Sequence, residues 1–513
     1  MFFSFVRWAV RRLALLALGA ALLPAAMSAT AVAAGPLVHP LVSDWQFLTS
    51  STTPPTQAAC NAIHRRCFNP ASMSSAYDYH SLLAAGNEGQ GKTIAVVDSF
   101  GSATISSDLG VFDNAFGLQH MCGETGPFAQ ACTAGMPSFK ILEVQGSPPK
   151  SPPPPNNGTG QENAFGWGLE VSLDVEWAHA TAPMANILLV TTPTAETLGV
   201  QGFQQMMNAE QFVVDNHLAD VITQSFGAGE GSFHNGLAAL TNLRQAFIDA
   251  QANHVTVFAS SGDGGTTNIL KEPVKNPAVI PYPSVIWPAS DPLVTSVGGT
   301  YLCTKANAAA TDPRTLDNTS PPVNCQNQSQ DEVGWVASGG GYSILFPRPT
   351  FQNTLPAGST FVGSSVGAPG PNANMRGVPD VAYQASSRTG VLIYDTEPAT
   401  KNSSAACNVG PGNPCNAGWF VIGGTSASSP QWAGLIAIAD QMAGRDLGYI
   451  NKGLYTVASD PGKYTNDFHD VTTGSNQTSS IPGYSARTGW DEVTGLGTPD
   501  AANLLPDLIT AVP

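Results

Sequence analysis

Charge is what this sequence has least of. Asp, Glu, Lys and Arg make up 11% of its 513 residues, and 21 Lys and Arg stand against 37 Asp and Glu. A formal charge of −16, with no basic tract beyond the N-terminus, argues against nucleic acid as a partner, because phosphate binding needs clustered cations. Long apolar runs are missing after Leu23, so no later segment is long enough to span a bilayer. Cys-x-x-Cys spacing is absent, which speaks against a zinc site built on cysteines, and no internal repeat is present. What remains describes a folded chain. Its 42% hydrophobic residues supply a sizeable core, and 52 Gly and 40 Pro imply many turns.

The N-terminus has the layout of an export leader. Arg7, Arg11 and Arg12 precede an apolar run from Leu13 to Leu23, and Ala31-Val32-Ala33 has the small-residue form that signal peptidases cut. Residues 1–34 therefore read as a signal peptide, and the mature chain as secreted, extracellular and free of the membrane. The eight cysteines suit an oxidising compartment. They fall into near-neighbour pairs, Cys60/Cys67, Cys122/Cys132, Cys303/Cys325 and Cys407/Cys415, each able to staple one loop, although spacing alone leaves the connectivity open.

Residues 35–75 are rich in Pro, Thr and Ala and read as an irregular N-terminal extension. From residue 76 to 513 the chain reads as one large domain. Short apolar runs recur at Thr93–Asp98, Phe139–Val144, Asn186–Val190, Val221–Ser225 and Val255–Ala259, with helix-length segments between several of them. Such alternation predicts an α/β fold, a parallel twisted sheet with helices on both faces. A proline-rich stretch at 146–158 interrupts it as a surface loop.

Three segments carry chemistry. In Val421-Ile-Gly-Gly-Thr-Ser-Ala-Ser-Ser-Pro430 a strand meets a helix, and small residues around Ser426 leave room for a substrate backbone while the helix N-terminus adds positive partial charge. Gly-Thr-Ser alone would serve equally as a helix cap; the longer string is more specific. In Gly166–Ala185, Glu170 and Asp174 stand at i, i+4 on one helix face, beside an apolar stripe of Leu169, Leu173 and Trp177. On an exposed face two such carboxylates only repel; buried in a cleft they can share a proton and be tuned apart. In Val255–Gly265 a buried strand ends in a Gly-rich turn that presents Asp263, which by itself is an ordinary Asp-Gly turn.

The Gly-Thr-Ser-Ala-x-x-Pro string resembles the nucleophile segment shared by subtilisins and their acid-active relatives, the sedolisins. None of the nine histidines lies in the His-Gly-Thr-His context of a subtilisin. With Glu170, Asp174, Asp263 and Ser426 in this order, the chain resembles the sedolisin (serine-carboxyl peptidase) family from about Tyr77 to Leu505. The resemblance implies a subtilisin-like fold and an acid-active serine-type peptidase acting on proteins or peptides. It makes Ser426 the nucleophile, Glu170 the general base and acid, Asp174 its proton-sharing partner and Asp263 the oxyanion stabiliser. Asp98, where a subtilisin keeps its triad aspartate, reads as structural. An Asp donates to an oxyanion only while protonated, so the expected optimum lies between about pH 3 and 5.

The resemblance extends to a calcium loop at about 468–497. It implies one structural Ca2+ held by the side chains of Asp470 and Asp491 and the carbonyls of Val471, Arg487 and Gly489, the oxygen-rich donor set calcium prefers. Arg487 stands where relatives commonly have glycine. Sedolisins usually carry a long folded prosegment, and the stretch between Ala34 and Tyr77 is too short for one. A monomer is expected. The alternative is a secreted, catalytically silent binding protein on the same fold, against which the four intact catalytic positions argue.

Overall fold

The computed structural model describes residues 39–40, 45–144, 164–192, 200–233, 235–271, 278–319, 322–359, 374–397 and 417–512. The expected leader, the proline-rich stretch at 146–158 and the Cys407/Cys415 pair lie outside the described residues.

All five apolar runs form strands: β1 Thr93–Ser99, β2 Phe139–Glu143, β3 Asn186–Thr192, β4 Val221–Gln224 and β5 Thr256–Ser260. β6 Thr295–Leu302, β7 Glu332–Gly334 and β8 Val381–Gln384 complete an eight-stranded sheet in the order β7-β6-β5-β4-β1-β3-β2, with β8 also on β6. Its pairs are parallel except that of edge strand β7 with β6. Strands without a polar face are stable only when both faces are covered. Side chains alternate across β1 accordingly: Ile94 and Val96 join one apolar core, Ala95 and Val97 another on the opposite face.

The helices that cover the sheet include α1 Ile105–Phe116, α2 Ala164–Thr181, α3 Val200–Asp215, α4 Gln245–Ala252 and α5 Thr425–Ala443. The core that holds Ile94 and Val96 takes its residues from α2 and α5; the other core takes them from α3 and α4. From Trp167 to Ala182, α2 and the turn after it are buried on every side, so the apolar stripe anticipated from the sequence is part of a helix with no solvent face. α5 lies against α2, and the contact is close because Gly434 has no side chain. A Cβ there would sit 2.7 Å from Thr181 Cβ and 3.3 Å from the Ala178 carbonyl oxygen.

The stretch anticipated as an irregular extension is regular where it is described. It forms a strand at Trp45–Thr49, a helix at Gln57–Ala62, a strand at Arg66–Phe68 and a helix at Pro70–Ala76. The two strands flank Gly418–Ile422 and Thr389–Asp395 in a second, four-stranded sheet. Their order comes from distant partners: the rings of Trp45 and Phe47 pack edge-on to Phe420 at 5.7 and 5.4 Å. Disulfides join Cys60 to Cys67 and Cys303 to Cys325. Cys122 and Cys132, expected as a third bridge, remain thiols, in hydrogen-bonding contact with one another on an irregular loop. Among the described residues no helix is long and apolar enough to cross a membrane.

The fold buries acids as freely as apolar groups. Glu176, Glu210, Asp395 and Asp440 are fully buried. Desolvation pushes Glu176, Glu210 and Asp395 well above the usual carboxylate range and Asp440 up to about 8. Glu230, which accepts from Ser343 and Ile344 of the strand Gly341–Pro347, rises to about 7 for the same reason. The sign of the linkage follows. These groups hold protons in the native state that an unfolded carboxyl loses near pH 4, so stability is fully present below about pH 4 and falls as pH rises toward about 8. Melting followed by calorimetry at fixed calcium is therefore expected to give a higher Tm at pH 4 than at pH 7.5; a flat or rising Tm over that window refutes the assignment. Gly434→Ala is expected to lower the free energy of unfolding by about 1–3 kcal/mol, read from denaturant midpoints, because the α2–α5 contact has no room for the methyl.

Candidate active site

Strand Gly418–Ile422 runs into Gly423 and Gly424, and α5 starts at Thr425. Glycine is required at 423, where a Cβ would lie 2.3 Å from both the Ala385 carbonyl oxygen and the Ser387 nitrogen. This close passage sets Ser426 in the first turn of α5, fully buried. Pro430 follows four residues later and lacks the N–H that the Ser426 carbonyl would otherwise accept. The helix start is tied to the C-terminal ends of the central strands. Ser260 Oγ donates to the Thr425 carbonyl at 2.9 Å, and the hydroxyls of Thr223 and Ser429 meet at 2.8 Å. Sites of open α/β sheets form at this end of the strands.

The sequence-predicted catalytic residues converge here. Glu170 and Asp174 of α2 are fully buried, on the flank that meets α5. The Ser426 hydroxyl lies within reach of the Glu170 carboxyl, in a geometry short of a well-formed hydrogen bond. Asp174 sits behind, within reach of the Ser225 hydroxyl. Asp263 follows β5. Its Oδ1 accepts from the Thr425 N–H at 2.8 Å and from the Thr425 hydroxyl at 2.9 Å. With Oδ1 so occupied, it is Oδ2 that can carry a proton and donate it in a hydrogen bond.

The structure adds a residue that had read as structural. Asp98, near the C-terminal end of β1, is fully buried and raises the pKa of both Glu170 and Asp174. The cluster is thus three carboxyls, not two. A signal was present in the sequence, since Asp98 is a charged residue at the end of an all-apolar strand. Burial dominates the electrostatics. It drives Glu170 and Asp174 well above the carboxylate range, with Asp174 and Asp98 adding to it at Glu170 and Asp98 adding to it at Asp174. Asp98 itself is pushed up to about 8 by burial alone. The Ser426 hydroxyl acts in the opposite direction on Glu170. Such a set can accept a proton from a serine at one carboxyl while a neighbour holds another.

The C-terminal segment also comes together. Both oxygens of Asp470 accept from the Gly489 N–H, at 3.1 and 3.0 Å. Asp491 is fully buried and accepts from the N–H groups of Arg487, Val493 and Thr494 at 2.8–2.9 Å. Both carboxyls bear on the Tyr464 hydroxyl. Gly489 has φ +74°, whereas Arg487 keeps a negative φ, so a non-glycine residue stands there without strain. The Arg487 guanidinium turns to Glu492 at 2.8 Å.

Comparison with known proteins follows this geometry. Residues 156–449 match the model of the subtilase family. The chain is 29% identical to kumamolisin of Bacillus sp. (strain MN-32) over 86% of its length and 64% of the relative's. It is 28% identical to sedolisin of Pseudomonas sp. (strain 101) over 85% and 60%, and 27% identical to human tripeptidyl-peptidase 1 over 68% and 53%. It therefore spans a little over half to under two thirds of these relatives' lengths. The solved structure of the Pseudomonas sedolisin, a serine-carboxyl proteinase, superposes with a TM-score of 0.59 at 24% identity, covering 86% of this chain and 98% of the other, which shows the shared fold. The chain belongs to the subtilase family, and the relatives named above are those it is similar to within the shared fold.

Proposed function

We propose that this chain is a secreted, acid-active serine-carboxyl peptidase that hydrolyses peptide bonds in protein or peptide substrates. The observation that carries the reading is the buried Ser426 hydroxyl within reach of Glu170, whose titratable neighbours are the carboxyls Asp174, Asp98 and Asp263. Glu170 as carboxylate takes the Ser426 proton while Oγ attacks the peptide carbonyl, and returns it to the leaving amine. Water repeats the cycle on the acyl-enzyme. Asp174 shares the proton held by Glu170, which spares the pair a second buried charge. Protonated Asp263 Oδ2, beside the N-terminus of α5, stabilises the oxyanion. A loose serine–base contact is common before substrate is bound.

The Pseudomonas sedolisin is described as a serine-carboxyl proteinase and tripeptidyl-peptidase 1 is a peptidase by name, which supports the class for this chain. We further propose that Asp470 and Asp491, with the carbonyls of Val471, Arg487 and Gly489, hold a structural Ca2+. Two carboxyls that both bear on the Tyr464 hydroxyl, a strain-free Arg487 backbone and an Arg487 side chain turned to Glu492 all suit a cation there. The ion would supply charge neutralisation that fixes the loop; the catalytic residues lie elsewhere.

Cleavage of a denatured protein from pH 2.5 to 8 is expected to peak on the acid side, between about pH 3 and 5, and to vanish by neutrality. Ser426→Ala should lower kcat/KM by about 10⁴-fold or more, Glu170→Gln by about 10²–10⁴ and Asp263→Ala by about 10²–10³ with KM little changed. A neutral optimum, or activity that survives Ser426→Ala, refutes the mechanism. Removing calcium with EGTA should lower Tm by about 5 °C in the wild type and leave an Asp491→Asn variant, already less stable, unmoved.

A further inference from the structure

A second polar cluster lies apart from the serine and from the C-terminal loop. It is built from the end of α1, the chain that follows it and the end of α2. Donor atoms of Asp113, His120 and Glu124, all buried, lie within 4.8 Å of one another. Glu124 Oε1 accepts from the Met121 N–H, which leaves Oε2 facing His120 Nδ1 at 2.6 Å. The Asp113 carboxyl is within hydrogen-bonding reach of Glu124, an approach that two acceptor-only carboxylates tolerate only with a proton or a cation between them. Asp113 is fully buried and neither of its oxygens receives a hydrogen bond. His179 Nε2 stands 3.2 Å from Asp113 Oδ2, but its N–H goes to the Gln119 carbonyl at 2.9 Å.

We propose that Asp113, His120 and Glu124 form a binding site for one divalent first-row transition ion of the zinc type. Two carboxylates balance the ion's charge, and the imidazole selects a transition metal over calcium. The ion takes the place of the proton shared by His120 and Glu124. Donors about 2 Å from an ion lie at most about 4 Å apart, so the group needs to close by about an ångström. His179 is a positioning residue: its ring, fixed by the Gln119 carbonyl, backs Asp113 at 3.2 Å and acts on it electrostatically. The bound ion joins α1 to the loop after it, and His179 brings the C-terminal end of α2, the helix that carries Glu170, against the site.

The test is calorimetric titration of the full chain, stripped with chelator, with ZnCl2 at pH 6.5 in saturating calcium, folding being checked by circular dichroism. One zinc per chain is expected, with Tm raised on binding. His120→Ala and Asp113→Asn should abolish uptake, and His179→Gln should weaken it about 10- to 100-fold, a readout open even if the ligand variants fold poorly. Cys122→Ser and Asp470→Asn should leave uptake unchanged. No uptake by the wild type, uptake indifferent to His120→Ala and His179→Gln, or uptake lost in Cys122→Ser or Asp470→Asn each overturns the proposal.

Discussion

The constraint on which the rest of the molecule depends is the burial of Asp98, Glu170 and Asp174 together, fully out of water and close enough to disfavour one another's charge. Taking one carboxylate out of water is costly, and three in contact cannot all ionise. The cluster persists only by holding protons, and only if water stays out. Both demands shape what surrounds it. α2 and α5 are buried on nearly every side, and aromatic rings such as Trp177 and Trp432 spend their N–H groups on the Leu392 and Ala382 carbonyls.

The reactive groups come from elements far apart in the chain, and each is placed by a rigid neighbour. The sheet sets the ends of β1, β4 and β5, the Gly423–Gly424 passage delivers Ser426, and Thr425 holds Asp263 through two hydrogen bonds. Thr425 is therefore the residue through which Asp263 and the turn that carries Ser426 share one geometry. The close α2–α5 contact at Gly434 holds Glu170 against Ser426. In the mechanism proposed, preorganisation of this kind is what would let a weak base such as a carboxylate work on a serine, since position supplies what basicity does not.

Elsewhere the same chemistry serves cohesion. Arg314 joins Asp331 and Glu332 at 2.6 and 2.7 Å, and Glu332 in turn accepts from Tyr77, Thr300 and Thr498, tying the N-terminal helices to the sheet edge and to the C-terminal segment. Arg376 and Asp380 pair inside the fold, with Tyr455 donating to Asp380 at 3.0 Å. Against the cost of burial, Arg314 holds Asp331 below the usual carboxylate range, whereas Glu170 is pushed well above it by burial and by the carboxyls around it. The few cations noted at the outset thus pair with acids such as Asp331 and Asp380, and none is among the groups that bear on Glu170.

By itself the sequence determined the elements and the chemistry of the site. The five apolar runs became strands, because unbroken apolar β-rich segments have only one way to bury both faces, and Glu170 and Asp174 were legible as neighbours from the helical period. The Gly-Gly-Thr-Ser segment was legible as a strand-to-helix turn because its small residues admit few conformations. Tertiary structure alone decided that Asp98 joins the acid pair, that residues 45–76 are regular, that Cys122 and Cys132 stay unbridged, and that Asp113, His120, Glu124 and His179 meet. The reason is physical. Periodicity and turn chemistry act over a few residues and are written locally, whereas burial, the pKa of a carboxyl and the pairing of Trp45–Thr49 with Gly418–Ile422 depend on segments that only the folded chain brings into contact.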